Sequence, residues 1–138
     1  YRTLQGPMHT GIGGSSYGGV ASLYALLAKP NVFGYGLIES PVLWIGLGQL
    51  VRDTSPLVAM PQRVFIGFGG KESSNAAVNK KMVDLVRQVE ANFHAAGYDA
   101  SNFRVVVDAA AEHTEAAWEQ RLPGALTFLY GSPGTPAK

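Results

Sequence analysis

Apolar residues follow two patterns along the chain, namely short continuous runs and longer stretches in which they recur with helical spacing. The short runs predict four β-strands, at residues 8–13, 33–38, 63–68 and 103–107. Helical spacing predicts helices at residues 17–29, at 47–53, from the capping residues 73–75 to Gly97, and across 118–129. The elements therefore alternate in the order β-α-β-(α)-β-α-β-α.

This alternation predicts an α/β fold, with about four parallel strands in a doubly wound sheet and helices on both faces. No internal repeat or interdomain linker interrupts the pattern. Residues 1–131 are therefore expected to form one domain, followed by a flexible tail at 132–138. Four parallel strands also leave an edge unpaired, which is unfavourable because parallel sheets are normally buried.

The most unusual local sequence is GIGGSSYGG at residues 11–19, which places five glycines between the first predicted strand and the first helix. A phosphate-binding P-loop would need Lys and Ser/Thr after its last glycine, but Gly19 and Val20 stand there. A dinucleotide fingerprint that starts at Gly11 has Ser16 in place of its third glycine. Both nucleotide-binding interpretations are therefore weak.

The same stretch matches G-x-S-x-G, the nucleophile elbow, at residues 14–18, with Ser16 at its centre. In such a turn the serine adopts strained backbone angles, and glycines two residues away on either side leave room for it. Gly19 is expected to let the following helix approach closely. The competing interpretation is a glycine-rich turn with incidental serines, because this short motif often occurs by chance.

A nucleophile elbow requires an acid and then a histidine later in the chain. Of the three histidines, His9 precedes the elbow and His94 lies in a helix with a polar face, whereas His113 follows the last predicted strand. Glu72, just after the third predicted strand, is the acid that best fits the order. The sequence therefore predicts a triad of Ser16, Glu72 and His113.

Other acids fit the triad position less well. Asp53 follows the preceding strand region and is the second candidate, whereas Asp108 and Glu112 are so near His113 that they are expected to shape its loop. Glu72 also has a purely structural interpretation, since an acid at the start of a helix interacts favourably with the helix dipole.

Composition excludes several other classes of function. The 138 residues include no cysteine, which rules out disulfides, thiolate metal sites and a cysteine nucleophile, and leaves the cellular compartment open. The net charge is +1 and the basic residues are scattered, which argues against nucleic acid or an anionic membrane as a partner. No apolar run approaches the roughly 18 residues of a membrane span. The opening YRTLQGPMHT has neither an initiating Met nor a signal peptide, which suggests a piece of a longer protein.

Four segments together resemble the putative-esterase (esterase D-like) family of α/β-hydrolases. They are GGSSYGGVASLYALLAKPNVFG, ESPVLW, GGKES and AAEHTEAAWEQRLPGALTFLYG, which begin at residues 13, 39, 69 and 110. The family includes enterochelin esterases, feruloyl and acetyl-xylan esterases, S-formylglutathione hydrolases and mycolyltransferases. The resemblance covers nearly the whole chain and implies the C-terminal half of an α/β-hydrolase.

The resemblance implies a serine ester hydrolase of the carboxylesterase type. Ser16 would be the nucleophile, Glu72 the triad acid and His113 the base. The N–H of Tyr17 would form part of the oxyanion hole, and Trp44 would line the substrate pocket. The partner would be a small-molecule ester, and no metal or other cofactor is expected.

The resemblance also implies that part of the hydrolase lies outside this sequence. In the whole fold, a loop that precedes the elbow donates the second oxyanion N–H, and no segment here corresponds to it. The edge of the first strand is expected to need an N-terminal half or an oligomer partner to cover it. Two functions stay open, an esterase present as a partial chain and a catalytically incomplete, hydrolase-like binding or assembly domain.

Overall fold

The computed structural model describes residues 2–55, 57 and 62–131, and within them four strands alternate with four α-helices. The strands are β1 (Gly11–Ser15), β2 (Tyr35–Glu39), β3 (Arg63–Gly69) and β4 (Phe103–Asp108). The helices are α1 (Tyr17–Ala28), α2 (Gln49–Asp53), α3 (Ala76–Ala95) and α4 (Glu115–Tyr130), with 3-10 turns at Pro7–His9 and Ile45–Gly48. The tail predicted at 132–138 lies outside the described residues.

The four strands form one parallel sheet in the order β1-β2-β3-β4. The predicted α/β class is thereby confirmed. In register, Ser15 at the end of β1 pairs with Glu39 at the end of β2, and Gly67 of β3 also faces Glu39. Among the described residues β1 and β4 are the two edges, so the strand that leads to Ser16 is an edge strand.

Helices cover both faces of the sheet, as predicted. On one face, buried residues of α1, α2 and α3 form the main core with alternate residues of β2 and β3, such as Ile38 and Ile66. On the other face α4 packs alone, through Ala125 and Leu129, against Phe65 of β3. The burial of alternate strand residues on opposite faces explains why these strands read as nearly continuous apolar runs.

The starts of the first strand and of the second helix differ from the sequence prediction. The first strand was predicted at residues 8–13, but residues 7–9 form a 3-10 turn and the strand runs Gly11–Ser15. Pro7 starts the turn, which is closed by hydrogen bonds from the His9 N–H to Gly6 O and from the Thr10 N–H to Pro7 O. The helix predicted at 47–53 begins only at Gln49, because residues 46–48 have positive φ.

Candidate active site

Polar residues follow the carboxyl ends of all four strands. Ser16 comes directly after β1 and Ser40 directly after β2, whereas Glu72 and His113 lie in the loops after β3 and β4. The Ser16 N–H donates a hydrogen bond to Glu39 O (2.9 Å), which ties the ends of β1 and β2 together. Because the strands are parallel, these residues all lie at the carboxyl ends of the strands, where open α/β folds bind their ligands.

Ser16 occupies the turn between β1 and α1 in a strained backbone conformation. Its φ is 56° and its ψ is −119°, a combination that L-residues rarely adopt. The helix begins one residue later, at Tyr17, whose side chain is exposed. The first N–H groups of an α-helix have no acceptor within the helix and form its positive end. The Tyr17 N–H is one of these groups and lies next to Ser16.

The glycines around Ser16 play different parts. A Cβ on Gly14 would lie 2.8 Å from the carbonyl carbon of Gly18, so the turn closes only because Gly14 has no side chain. A Cβ on Gly18 would meet nothing within 4 Å among the described residues, so the prediction that both flanking glycines are required is wrong for Gly18. A Cβ on Gly19 would lie 2.8 Å from Glu39 O, and its absence lets α1 approach β2 as expected.

Glu72 and His113, the predicted acid and base, are in direct contact. Glu72 Oε2 lies 2.8 Å from His113 Nδ1, with the Glu72 side chain 1% exposed and that of His113 31% exposed. The other carboxylate oxygen, Oε1, accepts hydrogen bonds from the Gly69 N–H (2.7 Å) and the Ser40 hydroxyl (2.5 Å). Because an ionised carboxylate only accepts, Nδ1 carries the proton in this contact, and Nε2 is the nitrogen without a proton when the ring is neutral.

No hydrogen bond joins Ser16 to this pair. Within residues 2–55, 57 and 62–131, the Ser16 hydroxyl has no hydrogen-bond partner at all. Ser16 follows β1, whereas the loops that carry Glu72 and His113 follow β3 and β4 of the same sheet. The structure therefore brings two of the three predicted triad residues into contact and leaves the third at the same edge with a free hydroxyl.

Ser40 and Trp118 belong to the site although the sequence analysis gave them no role. Ser40 is 1% exposed and has a φ of 44°. Its hydroxyl accepts a hydrogen bond from Trp118 Nε1 (2.9 Å) while it donates to Glu72. The Trp118 ring stands edge-on to the His113 ring, with centroids 5.3 Å apart. The available signal was the position of Ser40 just after a predicted strand.

A buried ion pair lies next to the site, between Glu39 at the end of β2 and Arg121 in α4. Arg121 Nε and Nη2 donate to Glu39 Oε2 at 3.0 and 2.8 Å, while Glu39 Oε1 and Arg121 Nη1 have no partner among the described residues. Burial raises the pKa of Glu39, and the nearby guanidinium opposes that shift. Since Glu39 O also accepts the Ser16 N–H, this pair anchors the strand end that supports the turn.

Trp44, predicted to line the substrate pocket, lies in the loop after β2. It is 42% exposed and precedes the 3-10 turn Ile45–Gly48. Ile45 and Leu47 in that turn are also exposed, so the loop presents an apolar surface. The surface adjoins the segment that carries Ser40.

Within the described residues, the remaining candidates have hydrogen-bond partners other than Glu72 or none. Asp53, the second candidate acid, accepts a hydrogen bond from Gln49 Nε2 at 2.7 Å. His9 ends an exposed 3-10 turn, and His94 is exposed with its Nδ1 3.0 Å from Tyr98 O. The Asp108 carboxylate accepts the Ala110 N–H (2.9 Å) and so shapes the loop before His113, as expected.

An open cavity of about 620 Å3 lies beside the Glu72–His113 pair. Its other walls are the loop after β3, the start of α3 and the loop after β4, with the charged residues Lys71 and Glu112 among the lining. Ser16 is not one of the described residues that line it. The cavity therefore opens beside Glu72 and His113.

The described residues contain neither a cluster of metal-ligating side chains nor a helix that could span a membrane. No cluster of three or more His, Cys, Asp or Glu residues in that part of the chain is arranged to hold a metal ion. None of the described helices is both long enough and apolar enough to cross a bilayer.

A family model described as "Putative esterase" matches residues 1–129. The chain belongs to this family. Among curated proteins, this putative-esterase chain is 25% identical to the uncharacterized protein YbbA of Bacillus subtilis (strain 168) over 127 residues, 91% of this chain and 50% of the relative. It is 33% identical to the iron(III) enterobactin esterase of Dickeya dadantii (strain 3937) over 119 residues, 71% of this chain and 27% of the relative. The chain thus spans half or less of the length of the curated relatives it matches.

Solved structures of esterases share the fold of this putative-esterase chain. A ferulic acid esterase superposes with a TM-score of 0.72 at 16% identity, covering 94% of this chain and 54% of the other. The enterobactin esterase FES from Shigella flexneri superposes with a TM-score of 0.73 at 21% identity, covering 90% of this chain and 32% of the other. The expected fold, part of an α/β-hydrolase with four parallel strands, is confirmed.

Proposed function

We propose that the chain carries the nucleophile, base and acid of a serine ester hydrolase of the carboxylesterase type, in Ser16, His113 and Glu72. The observation that carries this proposal is the 2.8 Å contact between Glu72 Oε2 and His113 Nδ1, made by a carboxylate that is 1% exposed. Such a contact orients the imidazole and stabilises the cation that forms when the base takes a proton. The strained turn at Ser16 and membership of the family support the proposal.

In the proposed mechanism, Ser16 Oγ attacks the ester carbonyl carbon while His113 Nε2 takes the hydroxyl proton. The Tyr17 N–H, at the positive end of α1, donates to the oxyanion of the tetrahedral intermediate. The intermediate collapses with cleavage of the C–O bond, and the imidazolium gives its proton to the leaving alcohol. Water then attacks the acyl-Ser16 ester with the same base, which releases the acid and restores the serine.

The open hydroxyl of Ser16 is compatible with this role. Catalytic hydrogen bonds are often long or unformed before substrate binds, so geometry without substrate does not exclude the Ser16–His113 transfer. A serine whose hydroxyl is free within the described chain also has no competing acceptor to break from before it attacks. Its place at the shared edge of the sheet is the common position for reacting groups in such folds.

The proposed substrate is a small-molecule ester. Relatives and neighbours named as esterases of enterobactin and ferulic acid support this class. Trp44 is proposed to line the substrate pocket together with Ile45 and Leu47, because these apolar side chains are exposed in a loop at the edge where Ser40 lies. Apolar surface of this kind, next to a few polar groups, is typical of small-molecule sites.

The proposed activity also needs a polypeptide that covers β1. The chain spans half or less of its curated relatives, and β1 pairs only with β2 among the described residues. We propose that an N-terminal half or a partner supplies the second oxyanion donor and pairs with this edge. A missing oxyanion donor typically lowers kcat by about 10²–10³, so the chain alone is expected to be slow.

A fluorophosphonate probe tests the proposal because it reacts with activated serines. We expect one label on Ser16, located by peptide mapping, in the chain combined with its N-terminal half and at a slower rate in the chain alone. Ser16→Ala should abolish labelling, while the matched variant Ser15→Ala should retain it. Labelling that survives Ser16→Ala would overturn the proposal. Complete absence of labelling and of aryl-ester turnover in both forms would favour the non-catalytic binding or assembly domain.

A further inference from the structure

We propose that Ser40 is a positioning residue that acts through Glu72, and that Trp118 sets the direction in which Ser40 donates its hydrogen bond. The inference rests on the proposed function in taking His113 as the base. It adds two residues, one directly after β2 and one in α4, that hold the acid and the base in one orientation.

The direction of the hydrogen bonds follows from what each group is able to donate. An indole N–H only donates, so at 2.9 Å the Ser40 hydroxyl oxygen accepts from Trp118 Nε1. A backbone N–H also only donates, so Glu72 Oε1 accepts from Gly69 at 2.7 Å. The single hydroxyl proton of Ser40 is then donated to Glu72 Oε1, and Ser40 Oγ lies 2.5 Å from that oxygen. The relay therefore runs from Trp118 to Ser40 to Glu72.

This relay leaves one carboxylate oxygen for the histidine. Two hydrogen bonds to Oε1 hold the Glu72 carboxylate in one orientation. In this orientation Oε2 lies 2.8 Å from His113 Nδ1. The carboxylate accepts three hydrogen bonds, which suits the ionised acid and requires the Nδ1–H form of the neutral ring. Trp118 also touches the base directly, because its ring stands edge-on to that of His113. The Trp118 indole thus contacts both Ser40 and His113.

The backbone at Ser40 shows what the site gains from this residue. Ser40 has a φ of 44°, in the region that favours glycine, and it is 1% exposed. Glycine would relieve this strain but would remove the hydroxyl that Glu72 and Trp118 share. The hydroxyl is therefore the group that the position contributes.

The proposal is tested by NMR on the folded chain, without any need for turnover. The readouts are the tautomer of His113, from long-range 1H–15N spectra, and its hydrogen-bonded Nδ1 proton, assigned with a His113→Gln variant. In the parent we expect the Nδ1–H tautomer and a downfield Nδ1 proton signal. In Ser40→Ala we expect that signal to broaden beyond detection, because Glu72 has lost one of its two Oε1 donors.

Thr54→Val is the matched control for the loss of a buried hydroxyl. Thr54 is fully buried, and like Ser40 its hydroxyl donates one hydrogen bond, to Val51 O (2.6 Å), and accepts one, from Asn92 Nδ2 (2.8 Å). It touches neither Glu72 nor His113. We expect Thr54→Val to be destabilised in a comparable way while its His113 signals stay those of the parent.

Trp118→Phe separates the hydrogen bond to Ser40 from the ring contact with His113, since it keeps an aromatic ring on α4 but removes the indole N–H together with the five-membered ring that carries it. In Trp118→Phe we expect the His113 Nδ1 proton signal to be weakened, but less than in Ser40→Ala. Unchanged His113 signals in Ser40→Ala would overturn the role of Ser40, and unchanged signals in Trp118→Phe would overturn that of Trp118. If the Nδ1 signal responds to Ser40→Ala but no fluorophosphonate labels the chain, either alone or combined with its N-terminal half, the relay is supported and the hydrolase is rejected.

Discussion

The two ends of the candidate site are built in opposite ways. At the histidine end, defined here as Ser40, Glu72, His113 and Trp118, both carboxylate oxygens, the serine hydroxyl, the indole N–H and one imidazole nitrogen are hydrogen-bonded. At the serine end, the hydroxyl of Ser16 has no partner in the described part of the chain. Glu72 is almost fully buried, whereas Ser16 lies in the turn directly after an edge strand of the described sheet.

This difference shows which part of the proposed machinery the chain assembles by itself. The histidine end is made by the segments that follow β2, β3 and β4 and by α4, and hydrogen bonds within the chain join these segments to one another. The serine end follows β1, which among the described residues has a neighbour on one side only, as β4 does, but no hydrogen bond from the Ser16 hydroxyl ties it to the other segments. We therefore expect the orientation of His113 to be intrinsic to the chain, and the reactivity of Ser16 to depend on what pairs with β1.

Glu39 connects the two ends. Its carbonyl oxygen accepts the Ser16 N–H, its side chain is held by Arg121, and the next residue is Ser40. Changes at this connection are expected to affect both ends, whereas changes at either end are expected to stay local. Substitutions at the two ends and at this connection therefore test whether the two ends are built independently.

Glu72→Gln should have the largest effect, on catalysis. The Gln side chain presents an amide N–H as well as a carbonyl, and it favours the wrong tautomer of His113. We expect kcat for a short-chain aryl ester to fall by about 10⁴, the loss typical of replacing a triad acid by its amide. The control Glu119→Gln removes an exposed acid of α4 and should leave kcat unchanged. A loss below tenfold in Glu72→Gln would contradict the role given to the acid.

Arg121→Met should destabilise the fold, because it leaves the Glu39 carboxylate buried without a partner. Breaking a buried pair costs about 3–5 kcal/mol in the free energy of unfolding. We expect a loss of this size at pH 7, measured by urea denaturation. Arg87→Met, which breaks an exposed pair with Glu90, should cost less than about 1 kcal/mol.

The cost of Arg121→Met should shrink at lower pH. Burial already raises the pKa of Glu39 above its ordinary 4.5, and loss of the guanidinium raises it further. At pH values between the pKa of Glu39 in the unfolded chain and its higher pKa in the folded variant, the folded variant binds a proton that the unfolded chain does not. The free energy of unfolding of the variant therefore rises as pH falls through this range. Denaturation at pH 7 and pH 5 measures the difference, and a cost that grows on acidification would contradict this account.

Gly14→Ala and Gly18→Ala should act in opposite directions at the serine end. The new Cβ at Gly14 would meet the Gly18 backbone at 2.8 Å, so we expect a loss of about 1–3 kcal/mol in the free energy of unfolding. At Gly18, in the first turn of α1, the Cβ meets nothing described, and Ala should stabilise by about 0.4–1 kcal/mol. Equal losses in the two variants would show that the turn is not closed by Gly14 alone.

Asn75→Ala should have a small effect, confined to the start of α3. The Asn75 side chain caps α3 by accepting the Ala77 and Val78 N–H groups at 2.9 and 3.1 Å, and loss of such a cap costs about 1 kcal/mol. Asn75→Asp keeps an accepting side chain and should restore stability. Because the cap does not touch Glu72, the His113 NMR signals should be unchanged, and a change there would link the helix start to the acid.

The fold was predictable because its signals are local. Apolar runs and helical spacing gave the order of the elements, and the chain order of Ser16, Glu72 and His113 suggested the triad residues. The contacts of Ser40 with Trp118 and of Glu39 with Arg121 join residues 78 and 82 positions apart, which no local pattern reports. The start of β1 was misplaced because Met8 looks apolar, while Pro7 and the hydrogen bonds of its turn decide the local structure.

Trapping the acyl-enzyme is the most direct test of the central claim that Ser16 and His113 act together. The chain, combined with the N-terminal half proposed to cover β1, is mixed with a p-nitrophenyl ester, quenched in acid and analysed by intact-mass and peptide mapping. The account predicts one acyl group on Ser16, formed with a burst of nitrophenol, and its loss in both Ser16→Ala and His113→Gln. Ester turnover that persists in Ser16→Ala, or an acyl group on another residue, would contradict it.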